Sequence, residues 1–295
     1  LDIVDILSLE KTSQSLRLFS QDRKVFHSNL TFEADWKSAN ISFGRRACIS
    51  YKNEGNDCVI EFRNRKKVLR GVSCLKQAFQ DFKTILANPN FFLGTLIMWS
   101  SCEESKSLGG CIEDALKFTH ILRVEHIHLH AQSMKTLLNI LPYLKPGYLT
   151  TITIDIDSDE AVIEKVVGMD QWKHAKYFHM RSNRFIGPLR HLYHFKEFDV
   201  RYNELSVEDV REMKEVQFFQ LFHHNNLFQI LLKSPEFEEC TLYLRGSVDR
   251  IVIMQVFGGP INGSSKICHY PIPNSTDYFE IFVGDILIKI LRKKK

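Results

Sequence analysis

The residues whose types and spacing come nearest to a metal-binding or catalytic group are three alternate histidines, His126, His128 and His130. In a β-strand alternate side chains point to the same face, so these imidazoles would lie about 6–7 Å apart, within reach of a shared metal ion. Such a site also needs donors from neighbouring strands, for which Asp155 and His179 are the candidates. We expect surface histidines of a binding face instead, and we keep a metal-dependent hydrolase as a remote alternative.

The sequence does not match the other catalytic, metal-binding or cofactor-binding motifs that we compared with it, because residues that they require at fixed positions are absent. Asp155, Asp157 and Asp159 resemble the start of a calcium loop, but Glu160 stands where glycine is required and Val166 where glutamate is required. The sequence contains no phosphate-binding loop, no dinucleotide-binding or nucleophile-elbow glycine motif, and no zinc-spaced cysteines. We therefore predict a protein that is not an enzyme, with no catalytic residue, no cofactor and no metal.

Composition narrows the class of partner. The 295 residues carry 39 basic and 35 acidic side chains, a net charge of +4, which is too balanced to attract a polyanion such as a nucleic acid. The longest apolar runs are about ten residues, about half of what a bilayer span needs, so we predict no membrane association. The seven cysteines form no C-x-x-C pair, and no signal peptide opens the sequence, which together favour the reducing cytoplasm or nucleus.

The first third of the chain mixes helical and strand periodicity. Residues 4–19 have apolar side chains at helical spacing, which predicts one or two short helices. Residues 47–51 and 58–62 alternate around a loop that contains Gly55, and this pattern is typical of a β-hairpin. Helical spacing returns between Cys74 and Leu86 and ends before Pro89.

Short strands then alternate with helices at a period of about 20–26 residues. Helices are predicted near 133–141, 160–167 and 206–210, the last capped by Ser206 with Asp209. This order predicts an α/β fold, an irregular leucine-rich-repeat-like solenoid with a parallel sheet. A doubly wound sheet, the rival, would require continuously apolar strands. The predicted strands alternate instead, and they span 96–99, 125–130, 150–155, 177–181, 197–201, 217–222 and 241–244.

Strand alternation separates an apolar face from a polar one. The polar face combines tyrosine and arginine, which are favoured at binding hot spots, with histidine, threonine and aspartate. We predict that it recognises a protein substrate, and the alternative is a half-exposed sheet that is polar for solubility alone. The predicted recognition residues are His126, His128, Thr153, Asp155, Tyr177, His179, Arg181, Asp199, Arg201, Tyr243 and Arg245.

Several segments resemble the nematode F-box proteins that carry an FTH domain. Residues 1–17 resemble the second half of their F-box, and Ser206 to Asp209 resembles one of their helix starts. The segment Leu141 to Leu149 (LPYLKPGYL) resembles their Pro-x-Leu-Lys-Pro-Gly segment, and Gln171 to Lys176 (QWKHAK) their Gln-Trp-Lys-x-Ala-Lys segment.

The resemblance implies a division of labour along the chain. Residues 1–38 would hold a small helical F-box remnant and linker that binds a Skp-type adaptor through Leu7, Leu9 and Leu16. Residues 39–295 would form a hairpin and an FTH-like α/β repeat domain that recruits an unidentified substrate to a cullin-RING ubiquitin ligase. The first half of the F-box is not in this sequence, which starts without methionine, so either the sequence is truncated or adaptor binding is weakened or lost. The alternative function is a standalone repeat scaffold without a ligase link.

Overall fold

The fold comes from a computed structural model, which describes residues 25–35, 37–44, 47–63, 65–87, 91–100, 121–130, 134–155, 159–203, 205–214, 232, 236–245, 249–259, 266–272 and 274–295. The helical segment predicted at 4–19 and the strand predicted at 217–222 lie outside these residues. The adaptor-binding leucines Leu7, Leu9 and Leu16 lie outside them too.

The described elements alternate between strands and helices. The strands are β1 (Val25–Ala34), β2 (Ser38–Phe43), β3 (Ala47–Glu54), β4 (Asp57–Phe62), β5 (Arg65–Leu69), β6 (Phe91–Ser100), β7 (Arg123–His130), β8 (Thr151–Asp155), β9 (Tyr177–Phe185), β10 (Glu197–Tyr202), β11 (Glu239–Leu244), β12 (Ile267–Pro271), β13 (Tyr278–Val283) and β14 (Leu287–Lys293). The α-helices are α1 (Cys74–Leu86), α2 (Lys135–Ile140), α3 (Glu160–Val167), α4 (Asp170–His174), α5 (Val207–Lys214) and α6 (Arg250–Val256), and short 3₁₀ turns occupy Leu141–Tyr143 and Leu189–Leu192.

The chain forms two compact units. Unit 1 comprises Leu1–Ile156 and Gly168–His174, and unit 2 comprises Asp157–Val167 and Ala175–Lys295. The predicted boundary at residue 38 does not coincide with either unit, and it stays a prediction. One observation bears on it: β1 begins at Val25 and pairs with both β2 and β6, so residues 25–34 belong to the sheet of unit 1.

Unit 1 is a mixed sheet in the order β5-β4-β3-β2-β1-β6-β7-β8. The β3–β4 hairpin is the one that the sequence predicts, with Gly55 at a positive φ of 63° in its turn. Helix α1 packs on β2, β3 and β4, because its buried stripe of Ala78, Phe82 and Ile85 recurs at helical spacing. Phe82 lies 4.8 Å, ring centroid to ring centroid, from Phe32 of β1. These contacts form the core on one side of the sheet.

Unit 2 is a mixed sheet in the order β9-β10-β11-β14-β13-β12. Its core includes aromatic contacts such as the stacked Phe178 and Phe195 rings, 5.4 Å apart. The predicted cap of α5 is confirmed, because Asp209 N donates to Ser206 Oγ at 3.0 Å and Ser206 N donates to Asp209 Oδ2 at 2.9 Å.

The predicted α/β class is confirmed, but the predicted irregular leucine-rich-repeat-like solenoid is not identified among the described residues. The parallel pairs β6–β7 and β7–β8 in unit 1, and β9–β10 and β10–β11 in unit 2, do follow chain order. A solenoid would continue with further parallel strands, whereas β11 pairs antiparallel with β14 and β1 pairs antiparallel with β2. Strand alternation reports which face of a strand is buried, but it carries no information on the direction of the neighbouring strand.

Within the described part of the chain, no helix combines the length and the apolar composition needed to cross a bilayer.

Candidate protein-binding surface

The unit 1 open face is formed by alternate residues of β6, β7 and β8 that point away from the buried side. Register places Thr95, His126 and Thr151 in one row and Ile97, His128 and Thr153 in the next. The intervening residues Ile127, Leu129, Ile152 and Ile154 are buried. The face therefore has the polar-out, apolar-in alternation that the sequence predicts for these strands.

Each histidine of β7 has a different partner. His126 Nδ1 and Thr151 Oγ1 share a hydrogen bond of 2.7 Å. His128 Nε2 donates to Asp155 Oδ2 at 3.0 Å, since a carboxylate only accepts. His130 stacks on Trp99, with ring centroids 5.5 Å apart and planes 16° from parallel.

Because each histidine contacts a different residue, the three imidazoles do not converge on one point where a metal ion could bind. Among the described residues no group of three or more His, Cys, Asp or Glu side chains is placed to hold one. The geometry of the described part thus gives no support to the hydrolase alternative.

Trp99 is a member of this face that sequence reasoning missed. It is 41% exposed and lies opposite His130 in the register of β6 and β7. The sequence pattern indicates this position, because Trp99 and Ile97 are alternate residues of β6 and point to one face. The buried Leu96 and Met98 point to the other face. An exposed tryptophan beside histidine and aspartate is the kind of side chain found at binding hot spots.

The unit 2 open face is formed by alternate residues of β9, β10, β11 and β14. Tyr177, Glu197 and Glu239 make its first row, and His179, Asp199, Thr241 and Lys289 its second. Lys289 Nζ lies 2.7 Å from Glu239 Oε1, and this hydrogen bond raises the pKa of Lys289. Charges in the first two rows are therefore partly balanced by cross-strand pairing.

Two predicted recognition residues of unit 2 differ from expectation. Asp199 lies on the open face by register but is only 5% exposed, so it offers little surface to a partner. Asp199 has a short side chain, and its strand has neighbouring strands on both sides. Alternation predicts the face to which such a side chain points, but not how deeply it is buried. Arg181 lies in β9, and its side chain is outside the described set.

The register of β9 shifts beside Arg181. Val200 pairs with Met180, but the next residue, Arg201, pairs with Arg184, so β9 bulges by three residues. Arg184 therefore stands in the position that we assigned to Arg181. The spacing of the buried residues Met180 and Phe185 reflects this bulge. In a regular strand their odd separation would place them on opposite faces.

The remaining predicted residues are placed on the open faces. His126, His128, Thr153 and Asp155 are half-buried in unit 1, Tyr177 and His179 are half-buried in unit 2, and Arg201, Tyr243 and Arg245 are exposed there. Their role in recognition stays a prediction.

The fold and these faces define an α/β protein whose sheets bury one side and leave part of the other side open and polar in each unit. Comparison with known proteins gives the family. Residues 108–261, just over half of the chain, match the FTH domain, and the chain belongs to the FTH-domain family.

Two curated proteins of Caenorhabditis elegans are distant homologues. F-box A protein 224 is 22% identical over 291 residues, an alignment that covers 94% of this chain and 71% of that protein. F-box A protein 155 is 23% identical over 207 residues, covering 65% of this chain and 47% of that protein. The chain thus spans less than half of the second relative.

The two most family-like segments touch each other in the core of unit 1. Gln171 Nε2, in the Gln-Trp-Lys segment, donates a buried hydrogen bond of 2.9 Å to Leu144 O in the Lys-Pro-Gly segment. Gly147 in that segment adopts φ 74°, a conformation that disfavours other residues. The backbone then continues into β8, with Thr150 N donating to Glu125 O at 2.8 Å. The two segments are therefore linked to each other and to the strand that carries part of the open face.

We expect Gln171→Leu to lower the free energy of unfolding by about 1–3 kcal/mol, because it leaves the buried Leu144 carbonyl without this donor. Urea unfolding followed by circular dichroism measures the change. Lys173→Leu, on the exposed side of the same short helix, is the matched control and should change stability by less than about 0.5 kcal/mol. Equal losses in the two variants would show that the hydrogen bond does not stabilise unit 1.

Proposed function

We propose that this chain is the substrate-recruiting adaptor of a Skp–cullin–F-box type ubiquitin ligase, acting inside the cell without catalytic chemistry of its own. The residues before β1 would bind the Skp-type adaptor, with Leu7, Leu9 and Leu16 in contact. The open faces of the two units would bind the protein to be ubiquitinated.

The observation that carries the proposal is the open polar face of each unit in a chain of the FTH-domain family. Homology to F-box A protein 224 over 94% of this chain supports the ligase link. Free thiols at Cys48, Cys58, Cys74, Cys240 and Cys268 fit an intracellular, reducing compartment.

Binding to the Skp-type adaptor is the first test. The protein, expressed from its natural start, should co-purify with a Skp-type adaptor from the same organism. A triple change of Leu7, Leu9 and Leu16 to alanine should reduce the recovered adaptor at least tenfold. Val68→Ala, on the exposed side chain of β5, should leave recovery unchanged.

One outcome would contradict the ligase role, and another would contradict the assigned contact residues. One is no complex with the adaptor when the F-box is intact. The other is full recovery with the triple variant, which would mean that these leucines are not the contact. Unfolding curves of all variants should overlap, which separates lost contact from lost folding. The standalone scaffold is the reading favoured if no adaptor binds.

A further inference from the structure

A row of four side chains lies at the carboxyl ends of the parallel strands of unit 1. Glu33 of β1 pairs with Trp99 of β6. Trp99 pairs in turn with His130 of β7, and His130 pairs with Asp155 of β8. Paired residues of neighbouring strands point to the same face, so Glu33 extends the unit 1 open face to β1. These four residues are called the carboxyl-end row below.

The row crosses the point at which the strand order reverses. From β1 the chain continues to β2 on one side, and from β6 it continues to β7 on the other side. Open α/β sheets bind ligands outside the carboxyl ends of their strands at such a switch point. Glu33 and Trp99 stand at this place, each one residue before its strand ends.

Trp99 presents an aromatic surface that a neighbouring side chain holds in place. The residue is 41% exposed, and the His130 ring stacks on one face of the indole with centroids 5.5 Å apart and planes 16° from parallel. The stack restricts rotation of the indole, and the exposed part of the ring is available to a ligand. A side chain that is already ordered loses little conformational entropy on binding.

Glu33 supplies a negative charge that no described residue neutralises. Its side chain is exposed, and within the described ranges its carboxylate has neither a hydrogen-bond partner nor an ion-pair partner. Glu61 of β4 differs, because it pairs with Lys52 Nζ at 3.2 Å. The carboxylate oxygens of Glu33 can therefore accept hydrogen bonds from a ligand.

The strands around Glu33 carry little positive charge. β1, β6 and β8 contain neither lysine nor arginine. Arg123 of β7 lies at the opposite end of that strand, with its guanidinium 4.6 Å from the centroid of the Phe92 ring. Asp155 adds a second carboxylate to the row, hydrogen-bonded to His128. The carboxyl-end row is therefore acidic, with an aromatic side chain beside Glu33.

A carboxylate beside an exposed indole is suited to a guanidinium group. A cation within about 6 Å of the centroid of an aromatic ring is attracted by the ring, and tryptophan attracts it most strongly. The planar guanidinium stacks on such a ring, and its N–H groups form two parallel hydrogen bonds with a carboxylate. Adjacent strands are about 4.8 Å apart, so one arginine side chain can contact Trp99 and Glu33 together.

We propose that Glu33 and Trp99 bind an arginine side chain of a partner protein, with the guanidinium on the indole and its N–H groups donating to the Glu33 carboxylate. This inference rests on the proposed function, for which it names a chemical feature of the recruited target. Charge complementarity is the physical basis, since Glu33 and Asp155 attract a basic segment and repel an acidic one.

Binding of an arginine peptide to the whole chain tests the inference. The probe is the peptide Gly-Ser-Arg-Ser-Gly with both ends blocked, and the control peptide carries citrulline, which has nearly the shape of arginine without its charge. We expect isothermal titration calorimetry at low salt to give binding about fivefold or more tighter for the arginine peptide. Affinities that are equal within twofold would overturn the proposal.

Nuclear magnetic resonance shows where the peptide binds. Selective nitrogen-15 labelling of the three tryptophans gives indole N–H signals, and Trp99→Phe identifies the signal of Trp99. The arginine peptide should shift this signal and leave that of Trp172, which is 1% exposed, in place. Binding without a shift of the Trp99 signal would overturn the site.

Variants separate the carboxylate from the net charge. Glu33→Gln keeps the shape and removes the charge, and it should weaken binding of the arginine peptide about fivefold or more. Glu61→Gln makes the same change in net charge on β4 of the same sheet and should leave binding unchanged. Trp99→Leu keeps all the charges and should weaken binding about threefold or more. Equal weakening by Glu33→Gln and Glu61→Gln would mean that only net charge matters, and would overturn the site.

Two further measurements separate this inference from its alternatives. A lysine peptide that binds as tightly as the arginine peptide would mean that the site recognises charge without the planar guanidinium, and would overturn the assignment to arginine. Glu33→Gln should still co-purify with the Skp-type adaptor. A chain that binds the arginine peptide but no adaptor would remove only the ligase role, whereas a chain that binds the adaptor but not the peptide would remove only this inference.

Discussion

Replacing Trp172 with alanine is expected to lower the free energy of unfolding of unit 1 by about 3–5 kcal/mol, the usual cost of removing a buried aromatic side chain. Trp172 is only 1% exposed, and it stands in α4 directly after Gln171, whose amide holds the Leu144 carbonyl. Its loss would leave a cavity beside the segment that enters β8. Such a change approaches the whole stability of a typical domain, roughly 5–15 kcal/mol.

The chain offers a matched control in Trp99, which is 41% exposed on the unit 1 open face. Trp99→Ala should lower the free energy of unfolding by no more than about 1–2 kcal/mol, because 41% of the residue surface already contacts water in the folded state. Urea unfolding followed by far-ultraviolet circular dichroism measures both variants. Similar losses at the two positions would refute the assignment of Trp172 to the core and Trp99 to the open face.

A steep loss of stability in mild alkali is the second large effect that we expect. Four buried thiols, Cys58, Cys74, Cys240 and Cys268, have raised pKa values because burial disfavours the thiolate. The pKa is raised to about 11 for Cys74 and for Cys268. In the unfolded chain a thiol ionises near pH 8.5 or so.

The direction follows from proton linkage. Above about pH 8.5 the unfolded chain releases protons that the folded chain keeps, so the free energy of unfolding falls as the pH rises towards 11. Between pH 7.5 and 9.5 Cys74 and Cys268, whose pKa values are raised to about 11, each contribute a loss of about 1.4 kcal/mol. Cys74 lies in unit 1 and Cys268 in unit 2, so each unit loses at least about 1.4 kcal/mol over this interval.

Urea unfolding under a reducing agent at pH 7.5, 8.5 and 9.5 measures this slope, in a C102A/C111A background that removes the two cysteines outside the described residues. Cys240→Ala should flatten the slope by about 1.4 kcal/mol over that interval. Cys48→Ala, at an exposed thiol, is the control and should not alter it. A slope that is the same in all three proteins would contradict a protonated, buried Cys240.

Alternation made some parts of the candidate surface predictable. The polar positions of β7 and β8 could be assigned because a strand has a period of two, and buried Ile127 and Ile154 confirm the assignment. The same rule places Trp99 on that face, although we did not apply it. Arg184 was not predicted, because the bulge inserts three residues into β9. The residues after the bulge therefore point to the face opposite to the one that alternation predicts.

Asp199 shows a second limit of the pattern. Alternation gives the side of the sheet on which a side chain emerges, whereas burial depends on the lengths of the neighbouring side chains on adjacent strands. Only the register of β9, β10 and β11 brings those neighbours together.

The amino-acid sequence by itself determined the α/β class, the positions of most described strands and helices, and the family resemblance, because these depend on short-range periodicity and local motifs. Only the tertiary structure decided the antiparallel pairing of β11 with β14 and the juxtaposition of Glu33, Trp99 and His130. Those features depend on contacts between residues far apart in the chain, for which local hydrophobic patterns carry no information about partner, direction or register.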